Sequence, residues 1–136
     1  MPARESTVDK KNTNLTLGAI INPSVHCVAT VITKEQSKLL TPSEYSAFLR
    51  GLLEKEEVQC VGEVSKSFNN DSFTTVTALS ESHISVHTWP ERFSVQLDVF
   101  LCNYMNDNTD KCKRIFESII KYFDPQEVQR EYIDRL

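Results

Sequence analysis

Glycine is scarce in this chain, at 3 of 136 residues, and there is no internal repeat, low-complexity tract or obvious linker. That argues against tethered modules and for one domain, long enough to bury a real core. No apolar run approaches the length of a membrane span, and residues 1–14 lack the apolar centre of a secretory signal. They are expected to be a short polar tail ahead of a single domain over 15–136, in a cytoplasmic protein. A net charge of −4 offers no electrostatic footprint for nucleic acid. The 4 cysteines, Cys27, Cys60, Cys102 and Cys112, make no C-x-x-C pair and no metal-ligand spacing with His26, His83 or His87. Reduced thiols and no metal are therefore expected, with Cys27, Cys60 and Cys112 acting as small buried hydrophobes.

What is present has two periods. Leu40-Thr41-Pro42-Ser43-Glu44 is a helix start: Thr41 can cap, Pro42 suits the first helical position, and Glu44 completes a capping box. Leu40 and Tyr45 are placed for a hydrophobic staple across it. Tyr45, Phe48, Leu49, Leu52 and Leu53 then recur at helical spacing on one face. A second helix starts near Thr109, with Cys112, Ile115, Phe116, Ile119, Ile120 and Phe123 on one face, and Asp124-Pro125 ends it. Elsewhere the period is two. Val28–Thr33, Val58–Ser65, Phe73–Leu79 and Phe93–Leu101 read as strands, with Asn69-Asn70-Asp71 as the turn between the second and third. In the last of them Phe93, Val95, Leu97, Val99 and Leu101 share one face; Gln96, Asp98, Phe100 and Cys102 share the other. The final twelve residues fit either a helix opening at Asp124-Pro125 or an edge strand over Val128–Ile133. These elements suggest an α+β fold, a two-layer α/β sandwich, although periodicity alone does not choose it over other α+β arrangements. It has an antiparallel sheet of about four to five strands and two main helices on one face.

The chemistry concentrates in Glu81-Ser82-His83-Ile84-Ser85-Val86-His87-Thr88-Trp89-Pro90-Glu91, followed by Cys102 twenty positions after Ser82. A serine hydroxyl can attack the carbonyl that precedes it and convert the amide to an ester, given a strained turn and donors for the tetrahedral oxygen. A base that removes the serine α-proton then eliminates the ester and cuts the chain. Imidazole, which titrates near neutrality, suits that task. Each of these residues alone is an ordinary structural residue. The unbroken eleven-residue run, with Cys102, Phe68 and His26 at fixed offsets, resembles the self-cleavage and active site of the small prokaryotic S-adenosylmethionine decarboxylases.

The resemblance covers roughly Gly18 to Phe123 and implies a proenzyme that cuts itself between Glu81 and Ser82 into chains 1–81 and 82–136. Ser82 would become a pyruvoyl cofactor, a ketone that forms a Schiff base with the substrate amine and accepts the electrons released as carbon dioxide leaves. By the same resemblance His87 assists processing, Thr74 stands where the family carries a serine hydroxyl, and Cys102 donates a proton to the product. Phe68 would stack on adenine and Glu91 would bind the ribose. A homodimer with active sites near its interface, serving polyamine (spermidine) synthesis, is also implied.

Departures bear on the substrate. Arg92-Phe93-Ser94-Val95 replaces a typical Tyr-Gly-Tyr-Ala, Leu101-Cys102-Asn103 replaces Thr-Cys-Gly, and Thr30 stands where the family carries an acidic residue. A lost carboxylate removes a partner for a cationic substrate group. These departures motivate an alternative, a pyruvoyl-dependent decarboxylase of ornithine or arginine on the same scaffold; a non-processing binding subunit is a further alternative, which the sequence supports little because every required residue is present.

Overall fold

The computed structural model describes residues 23–104 and 106–136. The polar tail expected over 1–14 lies outside them. β1 (Ser24–Thr33) alternates strictly, with Val25, Cys27, Ala29 and Val31 facing inward and His26, Val28 and Thr30 facing out. The chain then makes a short 3₁₀ turn and enters α1 (Pro42–Lys55). A ribbon of β2 (Cys60–Ser67), β3 (Phe73–Leu79), β4 (Ser82–Trp89) and β5 (Ser94–Leu101) follows, and then α2 (Thr109–Tyr122) and β6 (Pro125–Arg135). All neighbours are antiparallel, in the order β2-β3-β4-β5-β1-β6.

Both helices lie on one face: α2 over β1 and β5, α1 beside it over the β2–β3 end. The layer between is the core, where Tyr45, Phe73, Phe116 and Phe123 are fully buried. This is the two-layer sandwich expected, with six strands among the described residues where four or five are expected from the sequence. The two extra are β4, which is the motif itself, and β6. The ambiguous tail is a strand because Ser24 to Thr33 offers it a full-length partner. Arg130 also ties it to Glu117 of α2 at 2.7 Å.

Several local expectations are corrected. Thr41 does precede α1, but its hydroxyl donates to Ser37 O (3.1 Å) and Glu44 Oε1 (3.4 Å) and caps no backbone N–H. Phe93 stands outside β5 at φ 52° and is 42% exposed; the buried face begins at Val95. Cys102 lies one residue past the end of β5. Cys60 is exposed on edge strand β2, so of the three cysteines expected in the core only Cys27 and Cys112 are there. β1 begins four residues earlier than predicted, at Ser24, because its outward positions are polar and weaken the apolar signal.

One core residue is overbuilt. The Tyr45 hydroxyl is buried with no hydrogen-bond partner among the described residues, and burial pushes its ionisation well above the usual phenol range. An unpaired buried hydroxyl costs about 1–3 kcal/mol. Tyr45→Phe, which keeps the ring packing against Phe123 and Phe73, is therefore expected to raise the denaturation midpoint. A lower midpoint in urea titration would show that the hydroxyl is satisfied in solution.

Candidate active site

The open face of the sheet carries the polar side chains, and the register divides them into two groups. The first forms where β3 turns into β4. Leu79 pairs with Ser82, so the hairpin loop is only Ser80-Glu81, and Ser82 enters β4 with φ 141°. That backbone region is one L-residues rarely adopt, and holding a serine there costs about 1–3 kcal/mol. The strain falls on the residue whose amide joins it to Glu81.

The Glu81 carbonyl accepts a hydrogen bond from the Cys102 backbone N–H at 2.9 Å, across the β4–β5 pairing. The Glu81 carboxylate is held by Asn108 Nδ2 at 3.0 Å, and the same amide donates to Cys102 O at 2.9 Å. Asn108 is itself fixed through its backbone N–H, which donates to Asn103 Oδ1 at 2.6 Å. Asn103 Nδ2 in turn donates to Pro23 O and Thr109 Oγ1. Both asparagines are buried, and together they lock the segment after β5 against the β3–β4 turn.

Beside Ser82 a ring of side chains converges on Asp98. Ser82 Oγ lies 3.2 Å from His83 Nδ1, and His83 Nε2 lies 2.9 Å from Asp98 Oδ1. His26 Nε2 reaches the same oxygen at 3.1 Å, and the Ser85 hydroxyl donates to Asp98 Oδ2. Arg135 Nη1 lies 3.2 Å from His26 Nδ1. His26, His83 and Asp98 place three possible ligand atoms within 4.8 Å of one another, a grouping of metal-site size that the sequence spacing concealed. Both Nε2–H groups already have a partner in Asp98 Oδ1, so hydrogen bonding alone accounts for the arrangement.

The second group sits at the far end of β4. Thr74 pairs with His87 across β3–β4, and Thr74 Oγ1 lies 2.5 Å from His87 Nδ1. The His87 ring is 4.5 Å from that of Trp89 and 6.2 Å from that of Phe68. Asn70, in the turn after Phe68, donates from Nδ2 to Glu91 Oε1 at 3.4 Å. Arg92 lies over the Trp89 ring at 5.2 Å. Between the two groups a cavity of about 520 Å³ opens on the sheet, lined among others by Thr30, Thr74, His87, Asp98 and Glu131. That volume is within the range of small-molecule sites.

Of the residues singled out from the sequence, then, Glu81, Ser82 and Cys102 are brought together, as are Phe68, Thr74, His87 and Glu91. The two sets are not. Ser82 and His87 are five steps apart along an extended strand, a span of about 16 Å.

Comparison with known proteins agrees with this arrangement of elements. A family model described as S-adenosylmethionine decarboxylase matches residues 25–136. This chain belongs to the S-adenosylmethionine decarboxylase family. It is similar to the S-adenosylmethionine decarboxylase proenzyme of Archaeoglobus fulgidus, 29% identical over 110 residues that span 81% of this chain and 95% of that one. It is also similar to the proenzyme of Sulfurihydrogenibium, 28% identical over 111 residues, 82% of this chain and 80% of the relative. The crystal structure of the adenosylmethionine decarboxylase from Aquifex aeolicus superposes with a TM-score of 0.74 at 24% identity, covering 84% of this chain and 91% of that one. The last likeness speaks to the fold.

Sequence reasoning missed several residues that the structure gathers around the β3–β4 turn and the cavity. His83 and Asp98 were legible only as motif filler and as one polar position on β5. Asn103 registered as a departure, and Asn108 and Glu131 gave no signal. Glu131 comes to the cavity because β6 pairs with β1, where Val28 faces Glu131 and Thr30 faces Gln129. It brings a carboxylate to the neighbourhood of Thr30, the position that lacks one.

Proposed function

We propose that this chain is a proenzyme that splits itself between Glu81 and Ser82 and then decarboxylates S-adenosylmethionine for polyamine synthesis. The observation that carries the reading is the Glu81–Ser82 bond. It combines a strained serine, a carbonyl already polarised by the Cys102 N–H, and a nearby imidazole, three things an unreactive amide needs for attack. These residues fit a pyruvoyl group derived from Ser82, which supplies a carbonyl electron sink to the substrate amine.

The chain's own residues do the rest. Glu81 and Asn108 hold the turn, and Cys102, next to the new amino terminus, delivers a proton to the product carbon. Phe68 and Glu91 hold the nucleoside by stacking and by hydrogen bonds to its hydroxyls. Asp98 and Glu131 make the cavity acidic, which suits a sulfonium. His87, with Thr74 beside it, removes the Ser82 α-proton during processing.

That last role is impossible within one chain at about 16 Å along a strand. The active protein is therefore a homodimer in which His87 and Thr74 of one copy reach Ser82 of the other. Val76, Phe68 and Val64, exposed at the β2–β3 end, are apolar surface for such a contact.

The direct test is the intact mass of freshly purified protein under denaturing conditions, with carbon dioxide release from S-adenosylmethionine measured on the same sample. Two chains, 1–81 and 82–136, the second carrying a pyruvoyl group at its amino terminus, together with carbon dioxide release are expected. A split protein that leaves S-adenosylmethionine untouched but decarboxylates ornithine or arginine would replace the substrate. A chain that remains whole would replace the whole reading with that of a binding subunit.

A further inference from the structure

Self-cleavage needs two proton acceptors, one for the Ser82 hydroxyl as it attacks and one for the Ser82 α-proton during elimination. His87 accounts for the second. We propose that His83, oriented by Asp98, is the base for the first. The inference rests on the self-cleaving reading above and assigns a residue to its opening step.

The argument is one of donors and acceptors. Arg135 can only donate, so His26 Nδ1 must accept from it and His26 carries its proton on Nε2. That Nε2–H donates to Asp98 Oδ1 at 3.1 Å. An ionised Asp98 can only accept, so His83 Nε2, 2.9 Å from the same oxygen, must also be protonated. A neutral His83 is left with a bare Nδ1, and that nitrogen lies 3.2 Å from Ser82 Oγ. The distance is what a general base requires once the attacking geometry tightens. The Ser85 hydroxyl occupies Asp98 Oδ2, so the carboxylate cannot swing away from the two rings. Sequence neighbours rarely meet this way in a strand, where successive side chains point to opposite faces. The positive φ of Ser82 breaks that alternation and turns its hydroxyl toward the imidazole of the next residue.

The step balances without any co-reactant. The Ser82 Oγ–H bond breaks and its proton passes to His83 Nδ1 as the Oγ–C bond to the Glu81 carbonyl forms. The carbonyl electrons move onto the oxygen held by the Cys102 N–H. They return as the Glu81–Ser82 C–N bond breaks, and the proton on His83 passes to the departing nitrogen. The product is an isomer of the starting chain, with an ester in place of an amide. Asp98 touches none of the reacting atoms and is a positioning residue.

Hydroxylamine separates the two histidines, because it cleaves esters and spares amides. The wild-type chain, His83→Ala, His87→Ala, Asp98→Asn and Ser82→Ala are purified, and splitting is followed by intact mass with and without hydroxylamine. His83→Ala is expected to slow splitting by about a hundredfold or more, the size of a general-base contribution. Its uncut chain should resist hydroxylamine, as Ser82→Ala does, and added imidazole should restore splitting, which requires a folded site. His87→Ala should instead accumulate chain that hydroxylamine cuts at residue 81.

For Asp98 the readout is spectroscopic. Nitrogen-15 spectra of the uncleavable Ser82→Ala chain should show His83 protonated on Nε2, and adding Asp98→Asn should mix the tautomers. A His83→Ala chain that splits at the wild-type pace, or that stops as an ester, overturns the proposal while leaving self-cleavage intact. A wild-type chain that never splits takes both down.

Discussion

Chains carrying Ser82→Ala and chains carrying His87→Ala are each expected to stay whole when made alone, whereas the His87→Ala chain is expected to split when the two are made together. The reason lies in the register of β4. Leu79 pairs with Ser82 and Thr74 pairs with His87, so the strand holds the two residues at opposite ends. A single copy cannot bring the imidazole to the Ser82 α-carbon without dismantling pairings on both sides of the strand. In a mixed dimer one of the two composite sites combines an intact Ser82 from the His87→Ala chain with an intact His87 from the Ser82→Ala chain. The other site lacks both. Random assembly makes half of the dimers mixed, and only the His87→Ala chain in them is cut, at the Glu81–Ser82 bond. Mass spectrometry of the co-expressed pair, with the two chains differing by a tag, reads this directly. Splitting of His87→Ala in the absence of the other chain would place the second base elsewhere, and no splitting in the mixture would rule out the shared site.

Cys102→Ala is expected to split almost normally and then to lose decarboxylation by about 10²–10⁴-fold, the range for removing a proton-transfer group. The two roles proposed for this residue sit on different atoms. Its backbone N–H donates to the Glu81 carbonyl, and its backbone carbonyl accepts from Asn108; an alanine keeps both. The thiol is the only part lost. Rates of chain splitting and of carbon dioxide release, measured on the same preparation, separate the two. Equal loss of both would mean that the side chain shapes the turn, and no loss of either would move the proton donor to another residue. The contrast with Asn108 is useful, since its amide bridges Glu81 and Cys102 O. Asn108→Ala should slow splitting, because it frees the turn that holds the attacked carbonyl.

The two amphipathic helices were legible because their apolar residues recur with a single period and the core demands all of them; every residue assigned to the apolar face of α2 is buried. β3 was legible to the residue for the same reason. β4 went uncounted as a strand because its outward positions, His83, Ser85 and His87, are polar and its apolar set is correspondingly short. β6 stayed ambiguous since an edge strand faces solvent along most of its length, and its identity comes from a partner a hundred residues earlier. The capping box failed because the Thr41 hydroxyl is turned toward the Ser37 carbonyl and the Glu44 carboxylate, so its oxygen meets no backbone N–H of α1.

The fold class and the family were readable from the chain alone: an apolar periodicity is a local property, and a run of eleven residues with a cysteine at a fixed offset is carried along the chain. The sequence could not say which of those residues meet. Pairing of β4 with β3 and β5 sets Glu81, Ser82 and Cys102 at one end and Thr74 and His87 at the other. The pairing of β1 beside β5 brings His26 to Asp98 across 72 positions of chain. Distances of that kind follow from strand register, which is settled only when all six strands bury one face against the helices at once. Only the tertiary structure placed the His83 imidazole 3.2 Å from Ser82 Oγ and held His87 at the opposite end of β4, the two placements on which the proposed mechanism rests.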